Sequence, residues 1–252
     1  MRALFVQHDH VSPVGPVGER FVERGYSVDE LLVVPEDRFH TPAVEGDFPD
    51  PASYDVIVPM GAPWSVYDLA TIGPWVEPEL AFLARAVAGG VPVLGICFGG
   101  QALAAALGGA VVPADEVEIG WTSVETDDPD LVEAGPWFEW HHDRWVAPPG
   151  AHVLARTAAA EQAFVVGRSL AVQFHPELTP GMLRGWLANG GATYLEAHGI
   201  DTERVLADTD ALAPEARRRA HRLVDRFLDR VALASPDATP DLTTAGPTGR
   251  DS

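Results

Sequence analysis

The chain has 252 residues, with 37 acidic side chains against 17 basic ones and a formal net charge of -20. This excess of negative charge disfavours binding to nucleic acid and to anionic membrane surfaces. All the basic residues are arginines, which excludes lysine Schiff-base chemistry, and the single cysteine excludes an intramolecular disulfide.

The first half of the sequence alternates strand-like and helix-like segments. It begins without the apolar core of a signal peptide, and no apolar run reaches the roughly 18 residues of a membrane span, so a cytoplasmic protein is expected. Strands are expected at Ala3–Gln7, Glu30–Val34, Asp55–Met60 and Val91–Ile96, and helices around Glu19–Arg24, at Pro78–Ala88 and at Gly100–Leu107. This alternation predicts a parallel sheet covered by helices, with ligands beyond the ends of the strands.

The second half is strand-like up to residue 174 and helical after residue 180. The expected strands are Ile119–Glu125, His152–Thr157, Ala163–Val166 and Leu170–Phe174, the last two joined by a turn at Gly167-Arg168. A helix is expected at Pro214–Leu233, with Pro214 at its first position. We therefore expect an α/β domain at 1–180, a helical extension packed on it at 181–234, and a disordered tail at 235–252.

The only cysteine lies in a glycine-rich turn. Cys97 follows an apolar strand and is flanked by Gly95 and Gly99. A Gly-x-nucleophile-x-Gly turn is sharp, projects the nucleophile above the sheet, and directs the next backbone N–H, here that of Phe98, towards an oxyanion. A lone buried cysteine is commonly a small core residue. In this turn, at the start of a helix that favours the thiolate, a nucleophile is the better interpretation.

A base for this thiol is available further along the chain. The segment Gln173-Phe-His-Pro-Glu177 follows the last predicted strand. His175 would accept the thiol proton and later protonate the leaving amine, while Glu177 would orient the imidazole. A His-Pro-Glu tripeptide is weak evidence by itself, but together with the Cys97 turn it predicts a Cys-His-Glu hydrolase.

Three motifs together resemble the class I, triad-type glutamine amidotransferases, and above all the glutaminase domain of GMP synthetase. They are Met60-Gly-Ala-Pro-Trp-Ser-Val-Tyr-Asp68, Gly95-Ile-Cys-Phe-Gly-Gly-Gln101 and Val172-Gln-Phe-His-Pro-Glu177. The resemblance implies an α/β fold with a flavodoxin-like, mostly parallel sheet and helices on both faces, here with a C-terminal helical extension. It also implies hydrolysis of the side-chain amide of L-glutamine through a γ-glutamyl thioester on Cys97, without a cofactor.

The same resemblance assigns further roles by position. Gln101 corresponds to a position that helps to bind glutamine. Gly61 and Ala62 correspond to the family's Gly-Gly-Pro turn, which completes the oxyanion hole begun by Phe98. The family usually has glycine where this chain has Ala62, and alanine keeps the required N–H unless the turn demands a positive φ.

The segment Trp140-His-His-Asp143 corresponds to a Ser-His-Gly-Asp segment that contacts glutamine largely through main-chain atoms. Trp140, His141 and Asp143 are therefore expected to bind substrate, and His142 replaces the family's glycine. The alternative is a metal site that draws on His8, His10, His141, His142 and Asp143. Adjacent residues of a strand point to opposite faces and the histidines lack recognisable zinc spacing, so no metal is expected.

Nothing after Glu177 resembles the ATP-activating half of GMP synthetase, because no Walker-type loop and no Ser-Gly-Gly-x-Asp-Ser segment is present. Two enzymatic hypotheses follow. The chain supplies ammonia from glutamine to a separate synthase subunit, or it hydrolyses a γ-glutamyl amine or peptide on its own. A catalytically silent module that kept the fold is a third hypothesis.

Overall fold

The computed structural model describes residues 1–233 as ten strands and six α-helices. The strands are β1 (Arg2–Gln7), β2 (Ser27–Leu32), β3 (Val56–Pro59), β4 (Leu94–Ile96), β5 (Ala110–Thr122), β6 (Glu125–Thr126), β7 (Trp137–Val146), β8 (His152–Arg156), β9 (Glu161–Val166) and β10 (Ser169–Val172). The helices are α1 (Gly15–Glu23), α2 (Leu69–Ala88), α3 (Phe98–Ala106), α4 (Pro180–Trp186), α5 (Ala192–Ala197) and α6 (Thr202–Arg226). No helix in this part of the chain is long and apolar enough to cross a membrane. The expected tail, 235–252, lies outside the described residues.

The strands form one long mixed sheet and a separate ribbon. Strands β2, β1 and β3 are parallel neighbours, and β4 and β10 are also parallel. A parallel bridge between Ile57 and Val93 joins β3 to β4. Beyond β10 the sheet continues antiparallel through β9, β8 and β6, while β5 and β7 form the ribbon. The order 2-1-3-4-10 of the parallel part has the flavodoxin-like arrangement, which confirms the predicted fold class.

Alternate residues of β1 lie in two different cores. Ala3 and Phe5 pack on the face covered by α1 and the end of α6, whereas Leu4 and Val6 pack on the face covered by α2 and α3. This alternation is the two-residue repeat of a strand buried on both sides. Helices therefore cover both faces of the sheet, as predicted.

The C-terminal helices pack on the α/β core. The Arg20 guanidinium on α1 forms two hydrogen bonds with the Asp225 carboxylate on α6, at 2.9 and 2.8 Å. Arg24 adds a bond to the same carboxylate at 2.7 Å, and Phe227 is buried in the core beneath. The predicted C-terminal helical extension is thus confirmed. The predicted division of the chain into two units between residues 180 and 181 stays a prediction.

Two helices begin earlier than the sequence indicates, and each contains proline in its interior. α2 begins at Leu69, after the Asp68 side chain accepts a hydrogen bond from the Thr71 N–H at 3.2 Å, and it contains Pro74 and Pro78. Pro78 cannot donate to the Pro74 carbonyl, but the Gly46 N–H donates to that carbonyl at 3.3 Å.

In α6 the prediction that Pro214 occupies the first helical position is wrong. Asp201 caps the helix by accepting hydrogen bonds from the N–H groups of Glu203 and Arg204, at 3.0 and 3.2 Å. Pro214 lies inside the helix, and the carbonyl that loses its partner belongs to the exposed Asp210, where water can bind it.

The start of α3 lies directly on the end of β3. The Gly99 N–H donates to the Met60 carbonyl at 2.9 Å. A Cβ atom added to Gly99 would lie 2.0 Å from the Pro59 carbonyl oxygen, a distance that no side chain tolerates. The glycine therefore permits the contact between the Cys97 turn and the neighbouring strand.

We expect Gly99→Ala to lower the free energy of unfolding by about 3 kcal/mol, because overpacking against backbone forces the helix and strand apart. Gly73→Ala is the matched control, since its added Cβ would make an ordinary 3.6 Å contact inside α2 and should stabilise the chain by about 0.5–1 kcal/mol. Urea unfolding followed by circular dichroism measures both changes. Equal effects of the two substitutions would contradict this account.

Candidate active site

Cys97 lies at the tip of the turn between β4 and α3. Its φ of 49° and ψ of -110° make it the only non-glycine residue with a positive φ among residues 1–233. Its N–H donates to the Val172 carbonyl at 2.8 Å, and its own carbonyl accepts the first helical bond, from Gln101, at 3.0 Å. A strained backbone of this kind persists only where its surroundings hold it, and it projects the thiol above the sheet.

The His175 ring is oriented by Glu177. Nδ1 of His175 lies 2.7 Å from Oε1 of Glu177, so Nδ1 carries the donated hydrogen and Nε2 faces the opposite way. Nε2 is buried and has no partner among the described protein atoms. Burial by itself lowers the pKa of His175, but the neighbouring Cys97 and Glu177 groups raise it well above its ordinary value. The imidazolium is thereby stabilised next to the thiol.

Two backbone N–H groups beside Cys97 are free to bind an oxyanion. Within residues 1–233, neither the Ala62 N–H nor the Phe98 N–H donates to a protein acceptor. The bond from Gly99 to the Met60 carbonyl holds the two segments together. Ala62 does not have a positive φ, so alanine fits this turn without strain although the resembling family usually has glycine here.

The predicted site residues surround one cavity of 240 Å³. Its walls include nine of them: Gly61, Ala62, Cys97, Phe98, Gln101, Trp140, His141, Asp143 and His175. Glu177 is fully buried behind His175. The sequence motifs, which are far apart along the chain, therefore meet at the carboxyl ends of the parallel strands.

Gln101 and Gln173 connect the thiol to the walls of the cavity. The amide nitrogen of Gln101 donates to the Asp143 carbonyl at 3.1 Å and to Oε1 of Gln173 at 3.2 Å. The amide nitrogen of Gln173 in turn lies 3.6 Å from Sγ of Cys97. Because both hydrogens of the Gln101 amide are used within the protein, its oxygen is the group left for a ligand.

The Trp140–Asp143 segment lies in strand β7. The Trp140 carbonyl lies 4.0 Å from Sγ of Cys97, so main-chain atoms face the thiol. Nδ1 of His141 contacts the Asp143 carbonyl at 3.0 Å, and Nε2 lies 3.1 Å from a Glu118 carboxylate oxygen. Burial lowers the pKa of His141, but Glu118 and Glu139 raise it to about 10. The cavity wall thus contains an imidazolium at neutral pH.

The candidate metal ligands do not converge. His141 is buried whereas His142, the next residue on β7, is exposed. His8 pairs with Glu79, and His10 packs edge-on against Phe39. Among residues 1–233 no three His, Cys, Asp or Glu side chains are arranged to hold a metal ion.

Several cavity residues were missed by the sequence analysis. They are Asp9, Val11, Ser12, Phe39, Pro63, Trp64, Trp186, Asn189, Gly190, Gly191 and Tyr194. Asp9 follows the carboxyl end of β1, where an α/β sheet binds its ligands, and that position was a usable signal. Trp186 and Tyr194 come from α4 and α5, and no sequence pattern indicated that these helices reach the cavity.

The family of the chain follows from comparison with known proteins. Residues 19–190 match the sequence model of the family "Glutamine amidotransferase class-I". The chain belongs to this class I glutamine amidotransferase family, in agreement with the resemblance of its motifs.

Two relatives show which part of a larger protein the chain resembles. A GMP synthase [glutamine-hydrolyzing] of Parafrankia sp. (strain EAN1pec) is 38% identical over 127 residues, which are 47% of this chain and 22% of the relative. The protein of the same name from Thermomicrobium roseum is 41% identical over 131 residues, covering 48% and 23%. The chain is thus related to the glutaminase region of these enzymes and matches less than a quarter of their length.

Solved structures share the fold over most of the chain. A glutamine amidotransferase from Thermotoga maritima superimposes with a TM-score of 0.77 at 24% identity, covering 91% of this chain and 98% of that one. A glutamine amido transferase from Methylobacillus flagellatus also gives 0.77, at 25% identity over 90% and 94% of the two chains. These matches extend beyond residue 190 and include much of the C-terminal helical part.

We expect His175→Gln to slow alkylation of Cys97 by iodoacetamide about tenfold or more at pH 6, because an adjacent opposite charge changes the thiolate fraction by that order. The raised pKa keeps His175 protonated at this pH, so a cation lies beside the Cys97 thiol in wild type but not in the variant. At a pH high enough to ionise a thiol in both proteins the two rates should converge. His152→Gln, an exposed site on β8, is the control; a wild-type rate for His175→Gln at pH 6 would contradict the pairing.

Proposed function

We propose that the chain hydrolyses the side-chain amide of L-glutamine to glutamate and ammonia. One observation carries the proposal: a strained, cavity-facing Cys97 lies beside a His175 whose Nδ1 is bound by Glu177 and whose Nε2 has no partner among residues 1–233. A nucleophile, a base and a group that orients the base are the parts that nucleophilic amide hydrolysis requires. Membership of the class I family supports the same reaction.

In this mechanism the Cys97 thiolate attacks the amide carbon and a tetrahedral oxyanion forms. The N–H groups of Ala62 and Phe98 stabilise that charge. The His175 imidazolium transfers its Nε2 proton to the departing nitrogen, the C–N bond breaks, and ammonia leaves a γ-glutamyl thioester. His175 then takes a proton from water, whose oxygen attacks the thioester and releases glutamate and the thiolate.

The α-amino acid end of glutamine fits the acidic side of the cavity. Asp143 is buried and its Oδ1 accepts a hydrogen bond from the Tyr67 hydroxyl at 2.7 Å. With the free amide oxygen of Gln101 it supplies acceptors for an α-ammonium group, while Trp140 and His141 form the adjoining wall. None of the described residues that line the cavity is an arginine, so backbone N–H groups would bind the α-carboxylate.

We further propose a separate synthase subunit as the acceptor of the ammonia. The relatives named GMP synthase [glutamine-hydrolyzing] match this chain over less than a quarter of their length. The remainder of such an enzyme would have to come from another chain or domain.

A second candidate function is hydrolysis of γ-glutamyl amines. The observation that favours it is the aromatic lining of the cavity, which includes Phe39, Trp64, Trp140, Trp186 and Tyr194. The leaving group of glutamine is ammonia, which has no apolar surface that could pack against aromatic side chains. An alkyl or aryl amine leaving group would pack against them.

We expect wild type to form one covalent adduct with an electrophilic glutamine analogue, mapped to Cys97 by intact-mass and peptide analysis and suppressed by glutamine. Cys97→Ala should form none and should lose hydrolysis completely. Glu177→Gln should keep partial activity, because loss of orientation costs less than loss of the nucleophile. Wild-type turnover by Cys97→Ala would disprove the mechanism. A folded wild type that stays unlabelled would favour a catalytically silent module.

The two candidate substrates are separated by Tyr194→Ala. If an amine occupies the aromatic wall, this substitution should lower kcat/KM for a γ-glutamyl anilide about tenfold, the order expected from the loss of one aromatic contact, and leave glutamine hydrolysis within about twofold. Comparison of glutamine with a panel of γ-glutamyl amines measures both. A wild type that hydrolyses glutamine alone would exclude the second candidate.

A further inference from the structure

A buried ion pair lies directly behind the cavity, and the proposed mechanism leaves it without a role. His8 is the residue directly after β1. Its Nε2 lies 3.0 Å from each carboxylate oxygen of Glu79 on α2. Both side chains are completely inaccessible to solvent. Removing two charges from water is costly, and a buried pair is retained only where its geometry is good and further hydrogen bonds support it.

The further hydrogen bond of His8 is made to the Gly61–Ala62 turn. Nδ1 of His8 lies 3.2 Å from the carbonyl oxygen of Gly61. Since one ring nitrogen contacts a carboxylate and the other a carbonyl, both nitrogens carry hydrogens and the ring is an imidazolium. Burial lowers the pKa of His8, but Glu79 and the Gly61 carbonyl raise it above its ordinary value. Glu79 thus keeps His8 in the form that can donate to Gly61.

The Gly61 carbonyl and the Ala62 N–H belong to the same peptide group. In a trans peptide the C=O and the N–H point in opposite directions. A donor that holds the Gly61 oxygen away from the cavity therefore turns the Ala62 N–H towards it. His175 lies beside this turn, because a Cβ added to Gly61 would be 3.0 Å from Cε1 of His175.

The His8 ring also contacts the second half of the oxyanion hole. It packs edge-on against the Phe98 ring, with a centroid distance of 4.8 Å, and on another side it packs against Trp75. One side chain thus touches both segments that carry the free N–H groups.

We propose that His8 and Glu79 are positioning residues which set the direction of the Gly61–Ala62 peptide and thereby assemble the oxyanion hole. The inference rests on the proposed hydrolysis, to which it assigns two residues outside the Cys-His-Glu triad. Neither residue touches substrate; His8 acts through the peptide and Glu79 acts through His8.

Two variants separate the two hydrogen bonds of His8. In His8→Gln the amide nitrogen takes the place of Nε2, which keeps the contact to Glu79 but removes the donor to Gly61. In the double variant His8→Asn with Glu79→Gln, the amide nitrogen takes the place of Nδ1, so the donor to Gly61 is restored and no unpaired carboxylate remains. Leu228→Ala, in the core beneath α6, is the control for a general loss of stability.

We expect His8→Gln to lower kcat for γ-glutamyl hydrolysis about 100-fold, the order found when one oxyanion donor is lost, with KM within about twofold. Alkylation of Cys97 by iodoacetamide should stay within about twofold, because that substitution expels iodide and develops no oxyanion in the hole. The double variant should recover kcat to within about fivefold of wild type, and Leu228→Ala should retain wild-type kcat. This pattern would establish the positioning role.

Three results would overturn the inference: wild-type kcat in His8→Gln, a parallel fall of hydrolysis and alkylation, or equal losses in His8→Gln and the double variant. A crystal structure of His8→Gln gives a test that does not depend on turnover. We expect the Gly61–Ala62 peptide to be rotated or disordered there, and a native orientation would overturn the inference. If wild type hydrolyses no γ-glutamyl compound, the proposed function fails, and the crystal structure alone decides the role of His8.

Discussion

The site depends on one close contact between backbones, where the start of α3 meets the end of β3. The Gly99 N–H reaches the Met60 carbonyl, and the approach is close enough that a Cβ on Gly99 would collide with the Pro59 carbonyl. Because of this contact the strained Cys97 turn and the Gly61–Ala62 turn lie side by side. Two N–H groups from separate segments can then face the same point, which neither segment could achieve alone.

Three buried histidines around the cavity lie against carboxylates. Glu177 orients His175, Glu79 pairs with His8, and Glu118 with Glu139 raises the pKa of His141. In a chain with a formal net charge of -20, these contacts raise the pKa values of the three histidines and so favour their cationic forms beside the cavity. The local arrangement, and not the net charge, sets the chemistry of the site.

The C-terminal helices complete the cavity as well as the fold. The chain kinks at Asn189 and Gly190 between α4 and α5, where Gly190 has a φ of 106°. This kink brings Trp186 and Tyr194 to the same cavity. Aromatic side chains from helices outside the sheet thus form part of the cavity wall.

The sequence by itself determined the fold class and marked Cys97, His175 and Glu177 as the proposed triad. Apolar runs that end in glycine-rich turns mark buried parallel strands. The motifs around Cys97 and His175 are short and local, so they can be recognised without knowledge of the tertiary packing. Only the tertiary structure decided the rest. Pro78 lies inside α2, and the Pro74 carbonyl that it leaves free is bound by the N–H of Gly46, which is distant in sequence. Likewise, His8 contacts Glu79 and Gly61 only because β1, α2 and the Gly61–Ala62 turn pack together. Contacts between segments that are distant in sequence leave no periodic signal in the chain, so this contact could not be predicted.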